Sequence, residues 1–171
     1  MSILLTTLAL ALAAACGGQG DDSGVEADED CYYSATELSQ GAVPTVTLEE
    51  ARDAVDFDIR LPAELPPGVE LTDVALMDAH ICARLAKVEL FYEGPGVRFS
   101  IREWGGAKGV EPARTPVEVD GVQGDGELLD TPAGPVLLID WSRDGVTFYV
   151  MAFLTDELTQ EQVMDILNSI P

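Results

Sequence analysis

Residues 137–152 read LLIDWSRDGVTFYVMA. Asp144-Gly145, near the middle of the run, is a two-residue turn signal, because Asp and Gly tolerate the positive φ that such turns require. Folding the run about that pair sets Trp141 against Phe148, Ile139 against Val150 and Leu137 against Ala152. The period is two, so the stretch is an antiparallel hairpin with one continuously apolar face. That face needs a cover. The other face pairs Asp140 with Tyr149 and Ser142 with Thr147, the composition of a partly wet surface.

The same period runs upstream. Val88, Leu90 and Tyr92 alternate with Lys87 and Glu89, and Val97, Phe99 and Ile101 alternate with Arg98, Ser100 and Arg102. Gly94-Pro95-Gly96 between them predicts a second hairpin. A four-residue loop from Glu93 to Gly96 places Leu90 opposite Phe99 and Val88 opposite Ile101. Val69 to Met77 reads as a strand, and Val117 to Gly121 and Glu127 to Leu129 as short strands joined by glycines.

Two helices supply the cover. Thr47-Leu48-Glu49-Glu50 has the form of a capping box, and Leu48, Ala51 and Val55 make a short apolar stripe. Asp56 to Leu61 then turns extended, and Pro62, Pro66, Pro67 and Gly68 forbid further helix. At the other end Thr159 and Gln162 repeat the capping pattern, followed by Val163, Ile166, Leu167 and Ile170 at helical spacing. The expected fold is α+β: an antiparallel sheet of about six or seven strands, with a short N-terminal helix and a C-terminal amphipathic helix packed on it.

The chain of 171 residues carries 31 acids and 9 bases, a net charge of −22. Affinity for phosphate backbones comes from clustered Lys and Arg, so a nucleic-acid partner is excluded, and so is adsorption to an anionic membrane through a basic patch. With 47% apolar residues the chain is no disordered acidic tail. Nine of the acids precede Arg52, the first base. Six of them lie in Gly17 to Asp30, a stretch with almost nothing to bury, which reads as a solvated tether.

Ahead of the tether, Ile3 to Ala15 is an uncharged run rich in Leu and Ala, too short to span a bilayer but suited to the apolar region of a signal peptide. Leu12-Ala13-Ala14-Ala15-Cys16 resembles a bacterial lipoprotein lipobox, in which the Cys is diacylated and becomes the new N-terminus. Ala13 stands where Leu is commonest, and no Lys or Arg precedes the apolar run. The expected layout is a signal peptide at 1–15, a lipidated Cys16 with an acidic tether over 16–45, and one domain over 46–171. Lipid on Cys16 makes the membrane a partner and puts the domain in the cell envelope, outside the cytoplasm. Cys31 and Cys82 remain. In an oxidising compartment they form a single disulfide, against the alternative of two buried free thiols.

The order of the motifs matches a known pattern. Phe57 to Gly68 (FDIRLPAELPPG), the strand from Val88 to Tyr92, Val117-Glu118-Val119-Asp120-Gly121, the hairpin opened by Leu138 to Trp141 and the final amphipathic helix follow one another over Thr47 to Pro171. This arrangement resembles the bacterial "domain of unknown function 4367" family. The resemblance implies an extracytoplasmic setting, often in envelope lipoproteins, and no catalytic residues. The acidic tether and the Cys31/Cys82 pair stand apart from it.

Chemistry is sparse. His80 is the single histidine, and no G-x-S-x-G elbow is present. Asp78, His80 and Cys82 alternate on a potential strand face, but a metal needs further ligands, and a disulfide would remove Cys82. Asp120, Asp125, Glu127 and Asp130 sit among glycines without the spacing of a calcium loop. Neither a cofactor nor a metal is expected. One cluster is less ordinary: the predicted hairpin register sets Lys87 opposite Arg102, Phe91 opposite Arg98 and Leu85 opposite Trp104. Lys87, Arg98, Arg102 and Trp104 are therefore the candidate ligand face, suited to an anionic ligand or lipid head group unless nearby acids such as Glu89 neutralise the bases. The function expected is a lipid-anchored, non-catalytic binding or sensing module for an envelope protein or small ligand. The alternative is a carrier holding an acyl chain between sheet and helices, in a cavity lined by Trp104, Trp141 and Phe148.

Overall fold

The computed structural model describes residues 45–77, 86–106 and 114–171. Its elements are β1 (Thr45–Val46), α1 (Leu48–Ala54), β2 (Glu70–Met77), β3 (Lys87–Gly94), β4 (Val97–Gly105), β5 (Thr115–Val119), β6 (Val122–Thr131), β7 (Gly134–Arg143), β8 (Val146–Phe153) and α2 (Gln160–Asn168). The strands form one antiparallel sheet in the order β1-β2-β3-β4-β8-β7-β6-β5. The described residues are mostly β, with eight strands among them where six or seven were expected. Two meanders, β1 to β4 and β5 to β8, meet where β4 pairs with β8. Cys16, Cys31, Asp78, His80, Cys82 and Leu85 lie outside the described residues, so the lipidation, disulfide and metal expectations are not addressed by the fold.

The hairpin from 137 to 152 forms as expected. Trp141 pairs with Phe148, Ile139 with Val150 and Leu137 with Ala152, and Asp144 (φ 50) and Gly145 (φ 81) make the turn. The Trp141 and Phe148 rings stack at 4.7 Å, and both are fully buried. The opposite face is drier than expected. Asp140 and Thr147 are buried there, because Arg114 pairs with Asp140 and the Thr147 hydroxyl hydrogen-bonds Ser142 and the Gly106 carbonyl.

In the other hairpin the register is shifted by two residues. Leu90 faces Ile101, Val88 faces Glu103 and Tyr92 faces Phe99, around a tight Pro95-Gly96 turn with Gly96 at φ 72. Pro then Gly at the turn centre is the pattern of a type II turn. Gly94 belongs to the strand. A Cβ on it would lie 2.8 Å from both the Gly68 carbonyl oxygen and Val69 Cγ2, so close packing against the start of β2 requires the glycine. A shift of two preserves which side chains share a face. Lys87 accordingly lies opposite Trp104 and Glu89 opposite Arg102.

β6 is the other departure, ten residues long where a short strand over Glu127 to Leu129 was expected. Its Gly124 faces Trp141 across the ladder, where a Cβ would come within 2.9 Å of the Trp141 Cβ and 2.5 Å of the Asp140 carbonyl oxygen. Glycine is needed here because the backbone of β7 passes too close for any Cβ.

Both capping boxes are present, at Thr47/Glu50 and Thr159/Gln162. The Thr47 backbone N–H and hydroxyl, both bonded to the Glu50 carboxylate, hold its pKa below the ordinary value. The helices bring Ala51, Val163, Ile166 and Leu167 into one core with the inward residues of the sheet, including Val88, Leu90, Ile101, Ile139 and Val150. Arg143 fastens the end of the chain to this core, donating to the carbonyls of Ile170, Val119 and Asp120 and pairing with the Asp120 carboxylate at 3.0 Å.

Candidate functional site

The four residues of the expected ligand face do share one side of the sheet, the side away from the helices, with Phe91, Tyr149, Met151 and Phe153 around them. Their charges are engaged by the protein itself. Glu89 is buried, takes Arg102 at 2.8 Å and accepts from Ser100 at 2.8 Å. Arg98 pairs with Glu93 at 3.4 Å and lies over the Phe153 ring, and Arg102 lies over Tyr149. Lys87 also has a partner, and Trp104 is half-buried. Glu89 neutralises its neighbour, as its place in the strand allowed. The residues expected to line an acyl cavity are divided: Trp141 and Phe148 are in the core, while Trp104 is on the far face.

A larger concavity opens at the other end of β4. After α1 the chain runs extended, and buried Ile59 anchors it against the sheet. This sets Arg60 over the core. The Arg60 backbone N–H donates to Glu103 Oε2 at 3.0 Å, while its guanidinium reaches Asp144 Oδ2 and the Pro171 carbonyl, each at 3.2 Å. The same guanidinium lies 6.0 Å from the Phe148 ring centroid. Between this segment, Gly105-Gly106 and the β7–β8 turn lies a groove of about 750 Å³. A second compartment of about 490 Å³ shares Arg52, Asp58, Arg60 and Asp144 with it and extends to Pro171. Gly106 donates to the Gly145 carbonyl at 2.8 Å, and neither glycine has any atom within 4 Å of where a Cβ would sit. Two glycines thus keep the floor open.

The groove is polar and mixed in charge, with Arg52 and Arg60 facing Asp56, Asp58 and Asp144, and Phe57 in the wall. Arg60 is held on three sides. Arg52 is exposed at the end of α1 and makes no side-chain hydrogen bond or ion pair among the described residues. Beneath the groove Glu103 is fully buried. Loss of hydration pushes its carboxyl up to about 8, against the opposing hydrogen bond and charge of Arg60. Glu103 Oε1 and the Tyr92 hydroxyl are buried without hydrogen-bond partners among the described residues. Burial also raises the Tyr92 pKa, and the charge of Glu103 adds to it. Among the described residues its lining carries charge of both signs, Arg52 and Arg60 with Asp56, Asp58 and Asp144.

Sequence reasoning missed this groove because its walls come from three distant segments, 52–60, 105–106 and 144–146. Its available signal was Arg52, a base on a helix otherwise carrying acids. The four acids among glycines, Asp120 to Asp130, are spread along the β5–β6 hairpin, and no cluster of three metal-ligating side chains occurs among the described residues. No described helix is long and apolar enough to cross a membrane. Comparisons with family models, with curated proteins and with solved structures find no match for this chain.

Proposed function

We propose that this chain is a lipid-anchored extracytoplasmic module that binds or senses a ligand without catalysis, and that the ligand occupies the groove beside Arg52. The observation that carries the binding reading is Arg52 itself. In a chain with 31 acids and 9 bases, a guanidinium with no ion pair among the described residues lines a groove of about 750 Å³. Perturbed titration beneath a polar concavity adds support, since binding and active sites gather such groups. The carboxylates around Arg52 favour a ligand bearing both signs of charge, with its anionic group on Arg52.

The location rests on the apolar run ending at Cys16 and on the acidic tether behind it. The order of motifs, which resembles that of the "domain of unknown function 4367" family, supports the same setting. A bridge between Cys31 and Cys82 would suit that compartment. The carrier reading is the weaker one, because its three cavity residues do not face a common space.

Two measurements test the proposal. Intact-mass analysis of the full chain purified from the envelope fraction is expected to show a chain starting at an acylated Cys16, and an unmodified Cys16 would refute the anchor. Calorimetric titration with the dipeptide glutamyl-lysine is expected to show saturable binding that Arg52→Ala weakens at least tenfold. Absence of binding, or equal binding by the variant, would refute the ligand site.

A further inference from the structure

We infer that the outer edge of β6, from Glu127 to Thr131, is a strand-addition site for an extended segment of another protein in which apolar residues alternate with Lys or Arg. β5 covers only the first part of β6, its ladder running from Val119↔Val122 to Thr115↔Gly126. β6 continues on β7 as far as Thr131↔Gly134. Its last five residues therefore have a ladder on one side alone among the described residues. Glu127, Leu128, Leu129 and Asp130 are all exposed, and Leu128 (55%) and Leu129 (36%) are the large hydrophobic residues exposed among those described. Leu128 stands opposite buried Leu137 on the helix-bearing side, and Leu129 opposite buried Val136 on the other. Exposure on both sides of a strand, next to a strand buried on both, marks an edge that is open among the described residues.

Such an edge presents unpaired N–H and C=O groups, a template for another strand. The outermost strands are protected: β1 contributes two residues, and β5 carries Pro116, which has no N–H to offer. The free part of β6 has no such short length and no proline. Its polar residues are acidic, and they select the occupant. Glu127 reaches Arg114 at 3.4 Å, while Asp130 has no ion pair among the described residues. A second copy laid antiparallel about Leu129 would set Leu128 beside Asp130 and bring two bodies of net charge −22 together, which their mutual repulsion opposes. A basic alternating segment meets both requirements: one register puts its apolar side chains beside Leu129 and its ammonium groups beside Asp130.

The test is hydrogen exchange on the full chain, read by mass spectrometry, with a blocked seven-residue peptide of alternating Lys and Val and its Glu/Val counterpart as probes. The Lys/Val peptide is expected to slow exchange of amides 127–131 at least tenfold, and the Glu/Val peptide to leave them unchanged. Asp130→Lys, an exposed substitution, is expected to lose the first effect and gain the second. Protection elsewhere on the sheet, no protection, or equal protection by both peptides would overturn the proposal. Protection of 127–131 that rises with protein concentration and needs no peptide would also overturn it, since the occupant would then be a second copy.

Discussion

Replacing Glu103 by Gln is expected to remove a loss of stability that sets in as pH rises. The carboxyl is fully buried, with a pKa near 8 in the folded chain against an ordinary 4.5. Between those values the folded state binds a proton that the unfolded state has released, so stability falls as pH rises. Each pH unit within the window removes about 1.4 kcal/mol, and passage through the whole of it removes about 5 kcal/mol. The contribution is intact below pH 4.5 and fully lost above pH 8. Gln keeps an acceptor for the Arg60 N–H but puts an NH₂ where Oε1 has no partner, a pH-independent cost of about 1–3 kcal/mol. The variant should therefore be the less stable protein at pH 5 and the more stable one at pH 8, with the curves crossing near pH ~6. Urea unfolding of both chains at pH 5, 6, 7 and 8 measures this. His80 and the other carboxylates are common to both, so they drop out of the difference. Parallel curves would show that Glu103 is ionised throughout and that the argument from burial is wrong.

Three further outcomes follow from the packing. Tyr92→Phe removes a buried hydroxyl without a partner and leaves the stack on Phe99, so stability should rise by about 1 kcal/mol in the same unfolding assay; a loss would reveal a partner for the hydroxyl. Arg143→Met removes the bonds that hold Ile170 and the β5–β6 turn, and should cost about 3 kcal/mol and speed hydrogen exchange at the end of α2. Gly124→Ala drives a Cβ against the backbone of β7, and thermal unfolding should register a loss of about 2 kcal/mol or more; a neutral result would mean that β6 and β7 can separate without penalty.

What could be read from the sequence is what is local. The turn of the 137–152 hairpin, its register and both capping boxes depend on residues within a few positions of each other, and all of them form. The errors share a cause. Gly94 was read as part of a turn and Gly124 as part of a linker, because glycine is the residue of loops. Both are glycines because a neighbouring segment passes too close for a side chain, Gly68-Val69 beside Gly94 and the Asp140-Trp141 stretch of β7 beside Gly124, and composition alone does not show that approach. Pairing of β4 with β8, which joins the two meanders, leaves no local trace either.

The candidate sites divide along the same line. Lys87, Arg98, Arg102 and Trp104 could be put on one face because alternation within a hairpin is local, and even a two-residue error in register leaves them together. Their partners were legible too, since Glu89 and Glu93 lie on the same strand face as Lys87. In a strongly acidic chain the informative base is therefore the one its own neighbourhood fails to neutralise. Arg52 has Glu49 three residues before it and Asp56 four residues after, spacings at which helical pairs form, yet it pairs with neither. Asp56 lies beyond the end of α1, where the extended chain carries its carboxylate to within 3.4 Å of the position a Gly105 Cβ would take. The helix ends two residues short of Asp56, and that early end leaves a cation at the mouth of the groove.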